Sequence, residues 1–371
     1  MNPAPTLHSP LAAGALALSN RVVMAPMTRN RADAEGVPTA LMAQYYAQRA
    51  SAGLIITEGA RISAVGAGPV GQPGLHSAAQ LVGWSRVTAA VHRAGGLIVA
   101  QLAHHGRIAH PDLLPSGVRP VGPSAVRAQS DARTTPTRLV PTVTPRVLTR
   151  ADIAETLDDY AAAAESALRA GFDGVEIQGA NGYLVHQFLS DNANQRLDSY
   201  GGSAENRIRF ALAAVRAAAA VVGADRVGLR LSPGSGANDL LELDPAHTYG
   251  LLAESLRGTR HAYLHVVEGP DPKLTRLLRE RWSGPLIVSP FTGGEPTDPA
   301  TATVRLRTGE ADAVSFARLF AANPDLPERI RQGRRLAAPD PETFHTGGAT
   351  GYTHLPVGST HLAPKDSTDH E

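Results

Sequence analysis

Cysteine is absent from this sequence of 371 residues. That absence excludes a disulfide scaffold, a cysteine-ligated zinc or iron–sulfur site, a CxxC redox motif and a cysteine nucleophile. Lysine is almost absent too, since Lys273 and Lys365 are the only lysines among 35 lysine and arginine residues. Any redox chemistry of this protein must therefore use a bound cofactor rather than a thiol.

The sequence also lacks a charge excess and a long apolar run. The 35 basic residues nearly balance 34 acidic ones, and a net charge of +1 gives no attraction for nucleic acid or an anionic membrane surface. No apolar run approaches the roughly 18 residues of a membrane-spanning helix. The N-terminal MNPAPTLHSP has no secretory-signal pattern. We therefore expect a cytoplasmic protein that binds neither nucleic acid nor membrane.

Eight short apolar runs predict β-strands. Their apolar residues are continuous rather than alternating, which is typical of strands buried on both faces of a parallel sheet. The runs are residues 22–25, 54–57, 97–101, 174–177, 227–231, 263–267, 286–289 and 313–316.

Stretches of helix length lie between most of these runs. In residues 152–170 the apolar side chains recur at spacings of three and four. Thr149 and Asp152 resemble a capping box, and Gly171 sits where a helix-ending glycine belongs. A second helix is predicted over residues 205–222, before Gly223. The alternation of strands and helices predicts the α/β class and a (β/α)8 TIM barrel.

The length allows two average domains or one barrel with about a hundred extra residues. Residues 7–20 are predicted to form a hairpin before the first barrel strand, and residues 102–148 a long loop after strand 3. A barrel carries its active-site loops on that face. We predict one domain over residues 1–360 and a disordered tail over residues 361–371.

The residues that follow the strands are the candidates for chemistry, because barrel enzymes react at the carboxyl ends of their strands. These residues supply hydroxyl, amide, guanidinium and phenol groups and few acids. No carboxylate pair indicates glycoside chemistry, and the adjacent His104 and His105 are poorly spaced to share a metal ion. A planar, polar, electron-accepting ligand with a phosphate suits this set better.

Several long segments carry a family resemblance. They are NRVVMAPMTR at 20–29, GLIITEGARIS at 53–63, AGFDGVEIQGANGYLVHQFL at 170–189, YGGSAENRIRF at 200–210, DRVGLRLSP at 225–233, ARLFAANPDLP at 317–327 and TFHTGGATGYTHLP at 343–356. Through them the chain resembles the Old Yellow Enzyme family of flavin-dependent ene-reductases, of the classical bacterial type. The resemblance runs from about residue 7 to residue 357.

The resemblance implies FMN at the mouth of the barrel and NADPH or NADH as the reductant. Thr28 matches a threonine that hydrogen-bonds the flavin C4 carbonyl, Gly59 a small residue beside the ring, and Gln101 an amide that pairs with the N3–H edge. Arg230 matches an arginine near N1 and O2, where negative charge develops on reduction. The other implied cofactor contacts are Pro26, Met27, Gly293, Gly294, Ala317 and the phosphate-binding Arg318.

The resemblance also assigns the catalytic groups. Tyr183 matches the proton donor, which protonates the α-carbon of an activated alkene while the reduced flavin delivers a hydride to the β-carbon. A phenol with a pKa near 10 is protonated at neutral pH and can still release its proton to a carbanion. Gln178 and Asn181 match the pair that hydrogen-bonds the oxygen of the substrate.

Some positions depart from the family pattern. The substrate-binding pair is usually His-x-x-Asn or His-x-x-His, and the neutral amide of Gln178 polarises a carbonyl less than an imidazole does. Pro290 has no N–H for the phosphate, so these contacts are expected to shift to Phe291 or later. Ala103 replaces a bulky aromatic residue, and His345 replaces a frequent tyrosine.

We expect an FMN-dependent oxidoreductase that reduces the activated C=C bond of an enone-like small molecule, as a monomer or homodimer. Pro290 leaves open a redox-neutral or flavin-free barrel enzyme, such as an isomerase or lyase. Thr28, Gln101, Arg230 and Arg318 oppose that alternative, because they share no purpose without a flavin. A protein without catalytic activity would have no reason to keep the Tyr183 proton donor beside them.

Overall fold

The computed structural model describes residues 4–135 and 137–355. Within them, eight parallel strands form a closed barrel, because each strand pairs with the next and the last pairs with the first through Phe316 and Met24. The barrel strands are β1 (Val22–Met24), β2 (Leu54–Ile56), β3 (Ile98–Ala103), β4 (Gly174–Gly179), β5 (Val227–Leu231), β6 (Tyr263–Val267), β7 (Leu286–Ser289) and β8 (Ala313–Phe316). The predicted fold is confirmed, and each predicted strand overlaps an observed one.

Helices surround the barrel. In the described part of the chain they are α1 (Ala40–Ala47), α2 (Ala78–Arg93), α3 (Arg150–Arg169), α4 (Leu184–Leu189), α5 (Ala204–Val222), α6 (Pro245–Leu256), α7 (Pro272–Arg281), α8 (Pro299–Arg307), α9 (Arg318–Ala322) and α10 (Leu326–Arg331). None of the helices within residues 4–135 and 137–355 is long and apolar enough to cross a membrane.

The local signals at the ends of α3 and α5 act as predicted. Thr149 accepts a hydrogen bond from the backbone N–H of Asp152, and the Asp152 side chain accepts one from the backbone N–H of Thr149. Gly171 and Gly223 both have φ of +87°, a conformation that glycine adopts without the strain of a Cβ atom. Both predicted helices are therefore confirmed.

A hairpin closes the amino-terminal end of the barrel. Its strands, Leu11–Ala13 and Leu16–Leu18, form an antiparallel pair within the predicted residues 7–20. Leu16 and Leu18 pack in one buried cluster with side chains of the barrel strands. The backbone N–H of Ala15 donates to the carbonyl of Asp225, just before β5, at 2.9 Å. This end is filled with apolar side chains, so the polar groups collect at the opposite end.

The predicted loop after β3 contains short elements of its own. They are the 3-10 turns Gly106–Ile108 and Pro111–Leu113, the parallel pair Val121–Gly122 with Arg146–Val147, and the antiparallel pair Asp131–Arg133 with Leu139–Pro141. This segment lies at the carboxyl end of the barrel, and Ala132 lines a cleft there together with Tyr183.

A buried cluster ties the C-terminal segment to the loop after β1. Arg29 and Arg31 each donate to the carbonyl of Phe344 at 2.9 Å. Tyr352 stacks on Tyr45 with ring centroids 4.0 Å apart. Because Arg29 directly follows Thr28, this cluster anchors one edge of the predicted site. The predicted disordered tail, residues 361–371, lies outside the described residues.

Candidate active site

A cavity at the carboxyl ends of the barrel strands contains most of the predicted site. Its wall joins residues from the ends of β1, β2, β3, β4 and β5, which the closed barrel brings to one rim. The predicted residues that line it are Pro26, Thr28, Gly59, Gln101, Gln178, Asn181, Tyr183 and Arg230. The sequence therefore identified eight residues that the fold places around one space.

Five predicted residues lie outside the lining of this cavity. Gly293, Gly294 and Arg318 are exposed, whereas Met27 and Ala317 are half-buried. Gly293 and Gly294 follow β7, and Arg318 is the first residue of α9 after β8.

Two buried polar atoms in the cavity wall have no hydrogen-bond partner. They are Oε1 of Gln178 and Nε of Arg230, and the side chains are only 4% and 6% exposed. The two residues are neighbours in register on β4 and β5. An unpaired buried polar group costs about 1–3 kcal/mol. The Arg230 Nε–H needs an acceptor and the Gln178 Oε1 needs a donor, so the pair indicates a ligand whose polar edge carries both kinds of group, as a flavin ring does.

Gly59 lines the cavity next to Ala103 and Gln101, and its lack of a side chain leaves that part of the wall flat. A Cβ atom added there would stand 3.1 Å from Cβ of Ala103 and 3.3 Å from Oε1 of Gln101. A larger residue would therefore press on the amide that is predicted to meet the cofactor. This close packing fits a flat ring lying against Gly59.

The Tyr183 phenol faces the cavity from the start of α4. Tyr183 is the residue before the helix, and its ring lies against the ring of His105 with centroids 4.4 Å apart. Burial raises the pKa of Tyr183, although the nearby Arg230 guanidinium opposes that shift. Burial lowers the pKa of His105 to about 4. At neutral pH the cavity therefore holds a protonated phenol beside a neutral imidazole.

A strained turn directs Asn181 and Tyr183 toward the same space. Asn181 has φ of +56°, a left-handed conformation that asparagine tolerates better than most residues. Its backbone N–H donates to Oγ of Ser232 at 2.9 Å, and its carbonyl accepts from Nδ2 of Asn238 at 2.8 Å. His186 of α4 supports the turn by accepting from the N–H of Gly182 at 3.1 Å. The turn is thus held by partners on α4 and in the loop that follows β5.

In the loop after β7, the backbone N–H of Phe291 is not free for the phosphate contact that the sequence predicts from Phe291 or later residues. The N–H of Phe291 donates to Oε2 of Glu268 at 3.2 Å, and Arg305 binds the same oxygen at 2.7 Å. Because Pro290 has no N–H, the first two positions of the loop offer no free donor. Gly293 and Gly294 both have positive φ, and open space surrounds the positions of an added Cβ.

Sequence reasoning missed several residues of the site. Pro69, Gln72 and His105 line the cavity, and Nε2 of Gln72 donates to the carbonyl of Gly59 at 2.8 Å. Gln72 lies in a loop, where no periodic pattern of apolar residues predicts which way a side chain points. In contrast, Glu176 could have been found, because it is a charged residue two positions before Gln178 on a buried strand whose other residues are uncharged.

Within residues 4–135 and 137–355, no group of three or more histidine, aspartate or glutamate side chains is placed to hold a metal ion. The polar groups of the cavity are instead amides, a hydroxyl, a phenol, a guanidinium and the imidazole of His105. These groups suit a polar organic ring rather than a cation.

Comparison with known proteins agrees with this geometry. Residues 6–337 match the model of the NADH:flavin oxidoreductase / NADH oxidase family. A probable flavin mononucleotide-dependent alkene reductase from Leishmania infantum is 42% identical over 357 residues, covering 94% of this chain and 96% of its own.

Two solved structures are similar over nearly the whole chain. The Old Yellow Enzyme homologue of Zymomonas mobilis superposes with a TM-score of 0.91 at 41% identity, covering 95% of this chain and all of its own (100%). Morphinone reductase in complex with tetrahydroNAD superposes with a TM-score of 0.90 at 44% identity, covering 95% and 97%. The chain therefore belongs to the NADH:flavin oxidoreductase / NADH oxidase family, that of Old Yellow Enzyme, and is an FMN-dependent oxidoreductase that reduces activated C=C bonds with a nicotinamide as hydride source.

Proposed function

We propose that Tyr183 protonates the α-carbon of an enone-like substrate whose oxygen is held by Gln178 and Asn181. The observation that carries this proposal is the common cavity, in which the phenol and both amides stand with Arg230 and Gln101. The raised pKa of Tyr183, caused by burial, keeps its proton available at neutral pH.

The residues that would hold the ring of FMN are Thr28, Gly59, Gln101 and Arg230, with Pro26 and Met27 beside Thr28. The unpaired Nε of Arg230 and the close packing at Gly59 support this assignment. FMN, when bound and reduced, supplies the hydride that the β-carbon of the substrate receives. The Arg230 guanidinium keeps its charge despite burial, so it offers a fixed positive group to a ring that becomes more negative on reduction.

At the phosphate end we propose Arg318, Ala317 and the backbone of Gly293 and Gly294. Arg318 is exposed at the start of α9, and a guanidinium can bind a phosphate with two hydrogen bonds. An Arg318→Gln variant is expected to raise the FMN dissociation constant about tenfold. Riboflavin has no phosphate, so its dissociation constant should stay unchanged. An equal loss for both ligands would remove Arg318 from the phosphate site.

The proposed substrate is small and neutral, with a carbonyl conjugated to the double bond. Two neutral amides suit such an oxygen, and Ala103, which is 1% exposed in the cavity wall, leaves room that a bulky side chain would fill. The reductant is NADPH or NADH. The redox-neutral or flavin-free alternative is not favoured, because the relatives include an FMN-dependent alkene reductase. We further propose one domain over residues 1–360, a cytoplasmic location and a monomer or homodimer.

Isotope labelling tests the assignment of the two hydrogen atoms. 2-Cyclohexenone is reduced either with NADH or NADPH that carries deuterium on the hydride-donating carbon of its nicotinamide ring, or with unlabelled NADH or NADPH in D2O. The first experiment should label the β-carbon and the second the α-carbon, because the proton on Tyr183 exchanges with solvent. A preparation that neither contains nor takes up FMN, and is not bleached by NADH or NADPH, would refute the proposed function.

The role of Asn181 needs a variant that keeps its backbone shape. Asn181→Gly retains the positive φ and removes the amide, so we expect the KM for 2-cyclohexenone to rise about tenfold. Arg260→Gly is the matched control, because Arg260 has φ of +54° and lies just before β6 at the amino-terminal end. A similar KM change in both variants would oppose the proposal.

A further inference from the structure

A chain of buried hydrogen bonds runs through the barrel beneath the cavity. Nε2 of Gln101 donates to Oε1 of Glu176 at 2.7 Å. Nδ1 of His265 lies 2.8 Å from Oε2 of the same carboxylate, and Nε2 of His265 lies 2.9 Å from Oγ of Ser315. Glu176, His265 and Ser315 are 0% exposed, and Gln101 is 2% exposed. The chain therefore joins β3, β4, β6 and β8 inside the barrel.

The carboxylate at the centre of this chain is ionised. Burial raises the pKa of Glu176, but His265, Arg230 and Gln101 together outweigh burial and leave the pKa below its ordinary value. Burial and the nearby Arg230 charge together lower the pKa of His265 more than Glu176 raises it. A neutral His265 can donate through Nδ1 to Glu176 and accept through Nε2 from the Ser315 hydroxyl, which satisfies both partners.

The ionised carboxylate fixes which way the Gln101 amide points. A carboxylate only accepts hydrogen bonds, so the NH2 group of Gln101 must face Glu176 and its Oε1 must face away. Oε1 is the atom that lies 3.3 Å from the Cβ position of Gly59 in the cavity wall. Gln101 therefore presents its amide oxygen to the cavity. This oxygen can accept a hydrogen bond from an N–H group of a ligand and would repel a ligand acceptor.

The same carboxylate is a buried negative charge close to Arg230. Burial lowers the pKa of Arg230 below its ordinary value, and the attraction between Arg230 and Glu176 opposes that shift while it lowers the pKa of Glu176. A ligand that gains negative charge beside Arg230 therefore also meets the field of Glu176. A buried anion disfavours that gain, because charges are weakly screened inside a protein.

We propose that Glu176, held in place by His265 and Ser315, is a positioning residue that sets the orientation of the Gln101 amide toward FMN and lowers the reduction potential of the bound cofactor. The inference rests on the proposed contact between Gln101 and the ring. Glu176 acts through Gln101 and through its charge. Its removal should therefore change the binding of oxidised and reduced FMN differently.

The test measures FMN binding and reduction potential in the Glu176→Gln variant. Removing the charge should favour the reduced cofactor, so the ratio of the dissociation constants for oxidised and reduced FMN should rise about tenfold. A tenfold change equals about +30 mV for a two-electron couple. Glutamine can donate, so the Gln101 amide loses its enforced orientation, and the dissociation constant of oxidised FMN should itself rise.

Glu242→Gln is the matched control, because Glu242 also pairs with a buried histidine, His186, at 3.2 Å. That variant should leave the potential and the ratio of the two dissociation constants unchanged. Ser315→Ala is a milder second variant in case Glu176→Gln fails to fold, and it should raise the potential by a smaller amount, because His265 then loses a fixed partner. An unchanged potential in the folded Glu176→Gln or Ser315→Ala protein would overturn the inference. A wild-type protein that binds no FMN would instead refute the proposed function.

Discussion

Replacing Tyr183 with phenylalanine separates its proposed chemistry from its packing. The variant loses one oxygen atom, and no hydrogen bond to the Tyr183 hydroxyl occurs among the described residues. The stability of the fold should therefore change by less than about 1 kcal/mol. General acid catalysis is worth roughly 10²–10⁴ in rate, so alkene reduction should slow by that factor, or about 3–5 kcal/mol in the barrier.

Stopped-flow absorbance under anaerobic conditions measures the two half-reactions separately. NADH or NADPH bleaches the yellow protein in the first, and 2-cyclohexenone restores the colour in the second. We expect the first rate to stay within about twofold of wild type, because Tyr183 transfers no proton in that step, and the second to fall by roughly 10²–10⁴. Tyr160→Phe is the control, since its buried hydroxyl also has no partner and lies on α3, away from the cavity.

The pH dependence provides an independent check. Burial raises the pKa of Tyr183 above its ordinary value, so wild-type alkene reduction should hold across neutral pH and fall only as pH rises above about 10. The residual rate of the phenylalanine variant should lack that fall. Equal loss of both half-reactions, or an identical high-pH fall in the variant, would refute the role of Tyr183 as the proton donor.

Three further variants test other parts of the molecule. Gln178→His should raise kcat/KM for simple enones severalfold, because imidazole is the stronger polariser; unchanged or lower turnover would make Gln178 a contact for a particular substrate. Arg29→Met removes hydrogen bonds to Tyr45 and three backbone carbonyls, and should lower the unfolding free energy in urea by about 3 kcal/mol; a loss below about 1 kcal/mol would contradict this account of the cluster. The Arg196 hydrogen bond lowers the pKa of Asp198 to about 2, so Asp198→Asn should cost about 1 kcal/mol at pH 7 after allowance for solvent. This loss of stability should shrink as pH falls from 5 toward 2. A difference between the urea midpoints of wild type and variant that stays constant over this range would contradict the prediction.

The strands and helices were predictable because their signals are local. A strand buried on both faces leaves a continuous apolar run, and a helix end leaves a cap such as Thr149 with Asp152. The residues at the rim of the barrel were predictable too, because the topology of a barrel places the carboxyl ends of all its strands on one face. Their roles came from the family resemblance, because amides and a guanidinium alone indicate only a polar ligand.

The remaining contacts depend on distances that no sequence pattern records. Glu176 and His265 are 89 residues apart and meet because β4 and β6 flank β5 in the closed barrel. Arg29 reaches the carbonyl of Phe344 across 315 residues, and a backbone carbonyl has no sequence signature. Gln72 enters the cavity from a loop after β2, where neither periodicity nor spacing predicts a direction.

The charges of the site explain how it can discriminate between states of its ligands. At neutral pH the phenol, both amides and His105 are uncharged, and the buried Arg230 is balanced by Glu176 beneath it. A neutral enone enters without leaving a charge unpaired, whereas an anionic substrate would upset this balance inside a poorly screened cavity. Hydrogen-bond donors that the fold already holds in place would stabilise negative charge that forms during the reaction. The activation barrier would then contain little free energy for reorienting them. Since an amide polarises less than an imidazole does, we expect the proposed proton transfer from Tyr183 to supply a larger share of the rate than it would beside an imidazole.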